Sequence, residues 1–379
     1  MRARAAVCAA LCVAWAALPT AAHAQQRGAR PPLEQMTDDE LREYGFQWED
    51  SVSNQGSLAG GVIAAVGGAV WRGAGHFFIE ESSTGWQLLL TEVSSLVLIG
   101  GALLVFVNAD GSVAAEEIGL GLGQIGGGLF FSSYLVDIIG SVKGSRNVLA
   151  EPIFNTQLLE LGAEYRFVSS SDLTGLVNVL DIDAEVDLDF LLIEAGVELD
   201  ARLLYRQLDV GVALKPVEGR NAYDYLMLKV ALEGASFDPS ILPGDGDVSP
   251  DNAVLRGEFE VELSLDLGQL IPHMTGAINL MSLGVGFGAD AGDRAALPGG
   301  RNPVYVTFQN RLHVPVSKGV ALEPYYIFSE AELLAPINTF IGYFGARLRV
   351  TPRSDLEVFV DGAGGDGFQL GAGVQYTFF

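Results

Sequence analysis

Carboxylates that recur at every second position are the residues of this sequence best placed to do chemistry. Two such series occur, with the members Asp181, Asp183, Glu185 and Asp187 and then Glu258, Glu260, Glu262 and Asp266. Side chains two residues apart project from the same face of an extended strand, so each series predicts a row of negative charge. Rows of carboxylates that line a pore favour cations over anions. The two series therefore indicate a surface for which small cations are candidate partners.

Basic side chains occur at polar positions of the same alternating pattern. They are Arg166, Arg202, Arg206, Arg311, Arg347 and Arg349. A guanidinium pairs with a carboxylate and offsets its charge, so these arginines could also close the space between the acidic rows. The sequence thus leaves two alternatives open, a cation-preferring passage and a closed interior filled by ion pairs.

Catalytic and metal-binding patterns are sparse. Beyond residue 24 the histidines are His76, His273 and His313, and no pair of them has the spacing of zinc ligands. His313 and Ser317 suggest a Ser–His–acid set, but 47 acidic residues offer too many third members for that match to carry weight. We therefore expect no metal, no cofactor and no catalytic site, and we keep a hydrolase as an alternative.

The composition requires that charged and apolar residues be segregated. The chain has 379 residues, 47 acidic against 22 basic, a net charge of −25 and a mean hydropathy of +0.30. This charge excludes a nucleic-acid partner, because no basic surface is available to neutralise phosphates. An apolar content of 49% excludes a mainly disordered chain. Alternation along strands would reconcile the two properties.

Residues 1–24 have the features of a secretory signal peptide. Two arginines precede an apolar stretch that is too short to span a bilayer, and Ala22-His23-Ala24 is a small-x-small cleavage site. We expect cleavage after Ala24 and export of the mature chain. Both cysteines, Cys8 and Cys12, lie in this leader, so the mature chain has no disulfide.

Two segments precede the alternating region. Residues 25–54 are polar, and the stretch from Thr37 to Glu40 predicts a short amphipathic helix within this lead-in. Residues 55–145 are hydrophobic and rich in glycine, with small residues at helical spacing. We interpret them as a helical hairpin or three-helix unit, and a β alternative stays open because short apolar runs fit both structures.

The helical unit resembles the glycine-punctuated hydrophobic hairpins of several bacterial envelope proteins. The matching residues are Gly73-Ala74-Gly75-His76-Phe77, Thr84-Gly85, Leu88-Leu89 and Glu92. The resemblance implies a hairpin and no known activity. About ten residues join this unit to the following strand and span roughly 35 Å at most. We therefore expect the helices to dock on the next domain as a plug, a periplasmic cap or an interfacial layer.

The segment 154–379 has a hydropathy period of two. Phe259, Val261 and Leu263, for example, alternate with acidic residues, and similar runs separated by turn signals indicate about 10–12 strands long enough to cross a bilayer. Closure removes the exposed edges and gives the apolar face to lipid, which predicts a mainly β fold, an antiparallel transmembrane β-barrel. A soluble periplasmic β-sandwich or lipocalin-like binding protein remains the alternative. Candidates for interfacial aromatic girdles are Tyr165, Phe167, Tyr223, Tyr225, Tyr325, Tyr326, Phe328, Tyr343, Phe344 and Tyr376.

The C-terminal strand carries a second indication. It ends Tyr376-Thr377-Phe378-Phe379, which resembles the terminal signature of bacterial outer-membrane β-barrel proteins. Phe378 continues the alternation and Phe379 departs from it by one residue. The resemblance implies location in the outer membrane, with lipid and the barrel-assembly machinery as partners. The function expected is structural or that of a passive channel, with a binding protein or an outer-membrane hydrolase as alternatives.

Overall fold

The structure is a computed structural model, and it describes most of the chain from residue 56 onward. The described residues are 56–109, 113–143, 159–169, 173, 175–188, 190–202, 204–218, 225–238, 253–266, 278–291, 304–317, 319–329, 342–353, 355–365 and 367–378. The predicted signal peptide and polar lead-in, residues 1–54, lie outside this part. So do Tyr223, His273 and Phe379.

Four helices precede the strands in the described part of the chain. They are α1 (Leu58–Gly67), α2 (Ala74–Phe78), α3 (Ser82–Val107) and α4 (Val113–Lys143). The helical interpretation of this region is therefore confirmed, and the β alternative is wrong. Gly73 caps the start of α2 with a φ of 85°, and a Cβ there would overlap the backbone of Gly85, so glycine is required at this position for the close approach of α2 to α3.

Twelve strands follow in the described ranges. They are β1 (Leu159–Ser169), β2 (Val177–Asp187), β3 (Leu191–Asp200), β4 (Tyr205–Glu218), β5 (Tyr225–Phe237), β6 (Ala253–Asp266), β7 (Ile278–Ala291), β8 (Val304–Ser317), β9 (Val320–Ser329), β10 (Tyr343–Arg353), β11 (Leu356–Gly364) and β12 (Phe368–Phe378). Each strand pairs antiparallel with its neighbour in sequence, and β12 pairs with β1. The sheet is a closed barrel, which confirms the predicted class and strand number and contradicts the open sandwich.

Apolar side chains cover the outside of the barrel and polar side chains line its interior. On β5 and β6 the outward residues Val230, Leu232 and Leu255 are 53–58% exposed, whereas the inward Glu233 and Arg256 are buried. The alternation therefore has the phase that the sequence predicts. Three predicted girdle aromatics prove to be inward-facing instead, and each contacts an interior polar group or another interior ring: Tyr225, Tyr325 and Tyr343.

The two rims of the barrel differ in their connections. The rim at which β1 begins and β12 ends, here the terminal rim, also has the short connections 188–190, 318–319 and 354–355. The three longest connections, 238–252, 292–303 and 330–342, lie at the opposite rim, here the loop rim. Short periplasmic turns and long external loops are typical of outer-membrane barrels, so the terminal rim corresponds to the periplasmic side.

The helices dock on the outer wall of the barrel. Helix α4 lies along β8, where Gly121 faces Val306, Gly128 faces the Phe308 ring, and Val136 packs with Leu312. These β8 residues share the outward phase, because their neighbours Tyr305 and Thr307 hydrogen bond to lumen carboxylates. Docking was predicted, but the plug interpretation is wrong for the described helices because they contact the exterior.

Candidate functional site

The interior of the barrel contains an acidic cavity of about 440 Å³. Its polar lining comes from seven strands and comprises Arg166, Glu194, Glu198, Gln207, Asp209, Lys229, Glu233, Glu258, Glu260, Glu262, Ser282, Thr307 and Gln309. Seven of these side chains are carboxylates, against two cationic side chains, Arg166 and Lys229. We call this space the acidic chamber.

Both predicted acidic series lie on lumen-facing positions. Glu258, Glu260 and Glu262 line the acidic chamber directly. On β2, Asp181 is paired with Arg166, and Arg166 Nη2 lies 3.3 Å from Asp181 Oδ2. The same Nη2 also contacts Glu198. The remaining members of the β2 series continue the inward phase: Asp183, Glu185 and Asp187.

Several lumen acids lie opposite other acids. Glu185 of β2 is flanked by Glu160 of β1 and Glu194 of β3 in the same cross-strand row. Like charges directly opposite each other destabilise a sheet. Only part of this charge is offset, since Lys229 pairs with Glu194 and the Gln375 amide donates a hydrogen bond to Glu160. The row is therefore negatively charged beyond what its neighbours neutralise.

Near the terminal rim a lysine forms an ion pair with one acid of the β2 series. Lys215 Nζ lies 2.6 Å from Asp187 Oδ2. Asp266 is the last residue of β6, and its side chain lies outside the described part.

The opposite wall of the lumen is an ion-paired network rather than an acidic surface. Arg347 Nε donates to Asp361 Oδ2 at 3.0 Å, and Arg349 Nη1 donates to Glu323 Oε1 at 2.6 Å. Arg311 approaches the same Glu323 at 3.9 Å. The lumen is thus asymmetric, with paired charges on β8–β11 and an excess of carboxylates on β1–β6.

Two of the predicted basic residues do not face the lumen. Arg202 lies in the β3–β4 turn with a side chain that is 59% exposed, and its Nη2 donates to the carbonyl oxygen of Leu176 at 3.2 Å. Arg206 is exposed and shares the outward phase of Leu208 on β4. Both residues lie near the loop rim, where a long cationic side chain on either face reaches water.

The predicted Ser–His–acid set is not assembled around His313 and Ser317. His313 Nδ1 lies 2.7 Å from Glu323 Oε1 in the ion-paired network. Ser317 lies four residues further along β8 and is exposed, which separates the two residues by about 13 Å along the strand. Within the described ranges, no group of His, Cys, Asp and Glu is arranged to hold a metal ion.

Apolar side chains also occupy inward-facing positions on β1–β5. At the loop rim Val168, Val179 and Tyr205 are fully buried in one cluster. Nearer the terminal rim, Leu192, Ala213 and Met227 form another cluster. Part of the lumen wall near each rim is therefore lined by apolar side chains.

A second polar cluster lies inside the helical unit, and the sequence analysis pointed to two of its residues without predicting the cluster. Arg72 is fully buried, and its backbone N–H donates to Glu92 Oε2 at 3.1 Å. His76 Nδ1 lies 2.8 Å from Asp137 Oδ1, and the Gly73 N–H donates to Asp137 Oδ2 at 2.8 Å. The cluster joins α2, α3 and α4 and accounts for His76 and Glu92 of the hairpin motif.

The C-terminal strand is tied to the terminal rim. The Tyr376 hydroxyl donates to Asp355 Oδ2 at 2.9 Å in the β10–β11 turn. The Arg353 guanidinium also hydrogen bonds to Asp355 and holds the pKa of that carboxyl below its usual value. Tyr376 packs edge-on against Phe378, with ring centroids 4.7 Å apart. The assembly role of this terminus stays a prediction.

The closed wall defines the class of protein. A barrel with an apolar exterior and a charged interior satisfies every strand hydrogen bond within the wall while it presents hydrocarbon to lipid. The chain is a bacterial outer-membrane β-barrel protein with a helical N-terminal unit, and its location is the outer membrane.

Solved structures of outer-membrane proteins are similar to part of this chain. The KdgM porin has a TM-score of 0.34 at 11% identity, over 57% of this chain and 99% of that one. Omp33 of Acinetobacter baumannii has a TM-score of 0.32 at 9% identity, over 59% and 98% of the two chains. Outer membrane phospholipase A from Escherichia coli has a TM-score of 0.32 at 9% identity, over 57% and 92%. No family model and no curated protein matches the sequence.

Proposed function

We propose that this protein is a passive, cation-preferring channel of the outer membrane. The observation that carries the proposal is the acidic chamber, in which seven carboxylates face one cavity with two cationic side chains. A cation that enters such a chamber exchanges part of its hydration for carboxylate oxygens, whereas an anion meets net repulsion.

A structural role is the second candidate. The network formed by Arg347, Asp361, Arg349 and Glu323 fills one side of the lumen, and apolar clusters occupy inward-facing positions on β1–β5. A barrel of this size that is filled by its own side chains serves as a scaffold or anchor. This candidate predicts a barrel that does not conduct.

Reconstitution in planar bilayers separates the two roles. Under a KCl gradient, the channel proposal predicts discrete conductance steps. It also predicts a reversal potential whose sign shows that K⁺ permeates more readily than Cl⁻. Glu260→Gln/Glu262→Gln should move that potential towards zero, because each amide keeps the shape of the side chain and removes one charge from the chamber. Glu80→Gln/Glu116→Gln is the matched control, since both residues are exposed charges in the helical unit.

Two results would overturn the channel proposal. Absence of conductance in a correctly folded barrel would favour the structural role. An anion-selective potential, or equal shifts in the lumen variant and the helical control, would show that the chamber does not set the selectivity.

A further inference from the structure

We infer that α3 and α4 cross the outer membrane as a helical hairpin outside the barrel, with lipid acyl chains covering the face that the barrel does not. The inference concerns the helical unit and does not depend on whether the lumen conducts. It commits to lipid as the occupant of the exposed apolar face.

The hairpin runs the full height of the wall. From Gly121 to Val136, α4 advances by about 22 Å. On β8, Val306 contacts Gly121, and both Leu312 and Val314 belong to the apolar cluster that contains Val136. The strand advances by about 26 Å from Val306 to Val314. Helix and strand therefore run side by side, from the loop rim to the terminal rim.

Aromatic side chains of the outer wall hold α4 in place. Phe131 packs on Phe344 with ring centroids 4.7 Å apart, and the Tyr326 hydroxyl donates to Gln124 Oε1. Phe308 is 1% exposed, and a Cβ at Gly128 would overlap its ring. In a bare barrel these three wall aromatics would face lipid. The helix thus replaces lipid over β8–β10, at the depth that lipid would otherwise occupy.

The opposite face of the hairpin continues the apolar exterior of the barrel. Val93, Leu96, Val97, Leu103 and Leu104 of α3 are 51–68% exposed. Helices α3 and α4 contain apolar spans of 26 and 25 residues with mean hydropathies of 2.2 and 1.5, long enough to cross a bilayer. A surface that is apolar, spans the bilayer and is continuous with a lipid-facing wall is covered by the same lipid.

Two ionisable residues of the hairpin, Glu92 and Asp137, are buried, whereas Glu116 is exposed in the first turn of α4, near the loop rim. Towards the terminal rim, Glu92 pairs with Arg72, which precedes α2, and Asp137 pairs with His76 of α2. Intramembrane charges occur where a bundle interior pairs them, because lipid cannot solvate them. Trp71 and Trp86 are more than half exposed near that rim, where indole rings favour the membrane interface.

Topology labelling tests the inference. In a Cys8→Ala/Cys12→Ala background, single cysteines are introduced at Asn108, in the α3–α4 turn, and at Ser83, at the start of α3. Ala201→Cys marks the loop rim and Leu188→Cys marks the terminal rim. We expect a membrane-impermeant maleimide to label Asn108→Cys and Ala201→Cys on intact cells. Ser83→Cys and Leu188→Cys should be labelled only after permeabilisation.

A hairpin that lies in the periplasm gives a different pattern. Asn108→Cys would then be protected together with Ser83→Cys while Ala201→Cys is labelled, and this result would overturn the inference. A second measurement uses Val97→Trp in a Trp48→Phe/Trp71→Phe/Trp86→Phe background, reconstituted with lipids brominated near the bilayer centre. Strong quenching supports acyl-chain contact at mid-helix, and unquenched fluorescence refutes it.

Discussion

Arg72 holds the helical unit together through a buried charge pair, and its removal should be costly. The Arg72 side chain is 0% exposed and that of Glu92 is 8% exposed, with Nη2 and Oε1 3.9 Å apart. Arg72 Nη1 also donates to the Gly68 carbonyl at 2.6 Å, and its guanidinium stacks on Phe130 and Tyr134. Arg72→Met leaves Glu92 buried without this cation, which costs about 3–5 kcal/mol of unfolding free energy.

A double-mutant cycle separates the pair from the packing. Arg72→Met/Glu92→Met removes both charges, and an apolar pair of similar volume is often close to neutral in such a place. We therefore expect the double variant to recover most of the loss, with a coupling of about 3 kcal/mol. Glu80→Met is the control, because that exposed charge should change stability by no more than about 0.5 kcal/mol.

Tryptophan fluorescence is a local readout for this cycle. The sequence has no tryptophan after Trp86, so the barrel is silent, and Trp86 packs edge-on against Phe77 with centroids 5.5 Å apart. Urea titration of the protein in micelles gives the unfolding free energy of the helical unit. The reasoning is refuted if Arg72→Met unfolds at the wild-type midpoint, or if the double variant loses the sum of the two single losses.

Two further predictions concern the wall and its contact with the helices. Asp361→Ala removes a carboxylate that is 2% exposed and accepts two hydrogen bonds, so urea unfolding followed by circular dichroism should show a loss of about 3–5 kcal/mol. Asp187→Ala, at a more exposed ion pair, should cost about 1 kcal/mol or less. Gly128→Val should destabilise the helical unit by about 1–3 kcal/mol in the fluorescence assay, because its side chain overlaps Phe308. Gly127→Val, with open space around its Cβ, should not, and equal losses at 127 and 128 would contradict the docking.

The barrel could be predicted because its signal is local. In a strand whose hydropathy alternates with a period of two, the sequence itself shows which residues share a face. Few folds can place the apolar faces of many such strands against lipid or a core and at the same time keep the acidic faces in water. The acidic positions Glu258, Glu260 and Glu262 follow directly from that rule. The orientation of Arg206 does not follow from that rule, because side chains on both faces of a strand reach water at the strand end.

The helical docking and the buried cluster could not be predicted in the same way. A barrel wall presents apolar side chains both where it contacts lipid and where it contacts an apolar helix. The sequence alone therefore does not show whether Phe308 and Tyr326 contact lipid or a helix. Arg72 and Asp137 lie 65 positions apart, and only the packed helices bring them to one cluster. The hairpin motif indicated His76 and Glu92 without their partners.

The most direct test of the account is a nitroxide scan of β6 from position 258 to 263 in lipid vesicles. Each position carries a single spin label, and its collisions with oxygen, which partitions into lipid, are compared with those of a water-soluble nickel chelate. The account predicts a period of two, with oxygen favoured at Phe259, Val261 and Leu263 and the chelate favoured at Glu258 and Glu260. The opposite phase, or accessibility without alternation, would contradict a wall that shows hydrocarbon outward and carboxylates inward.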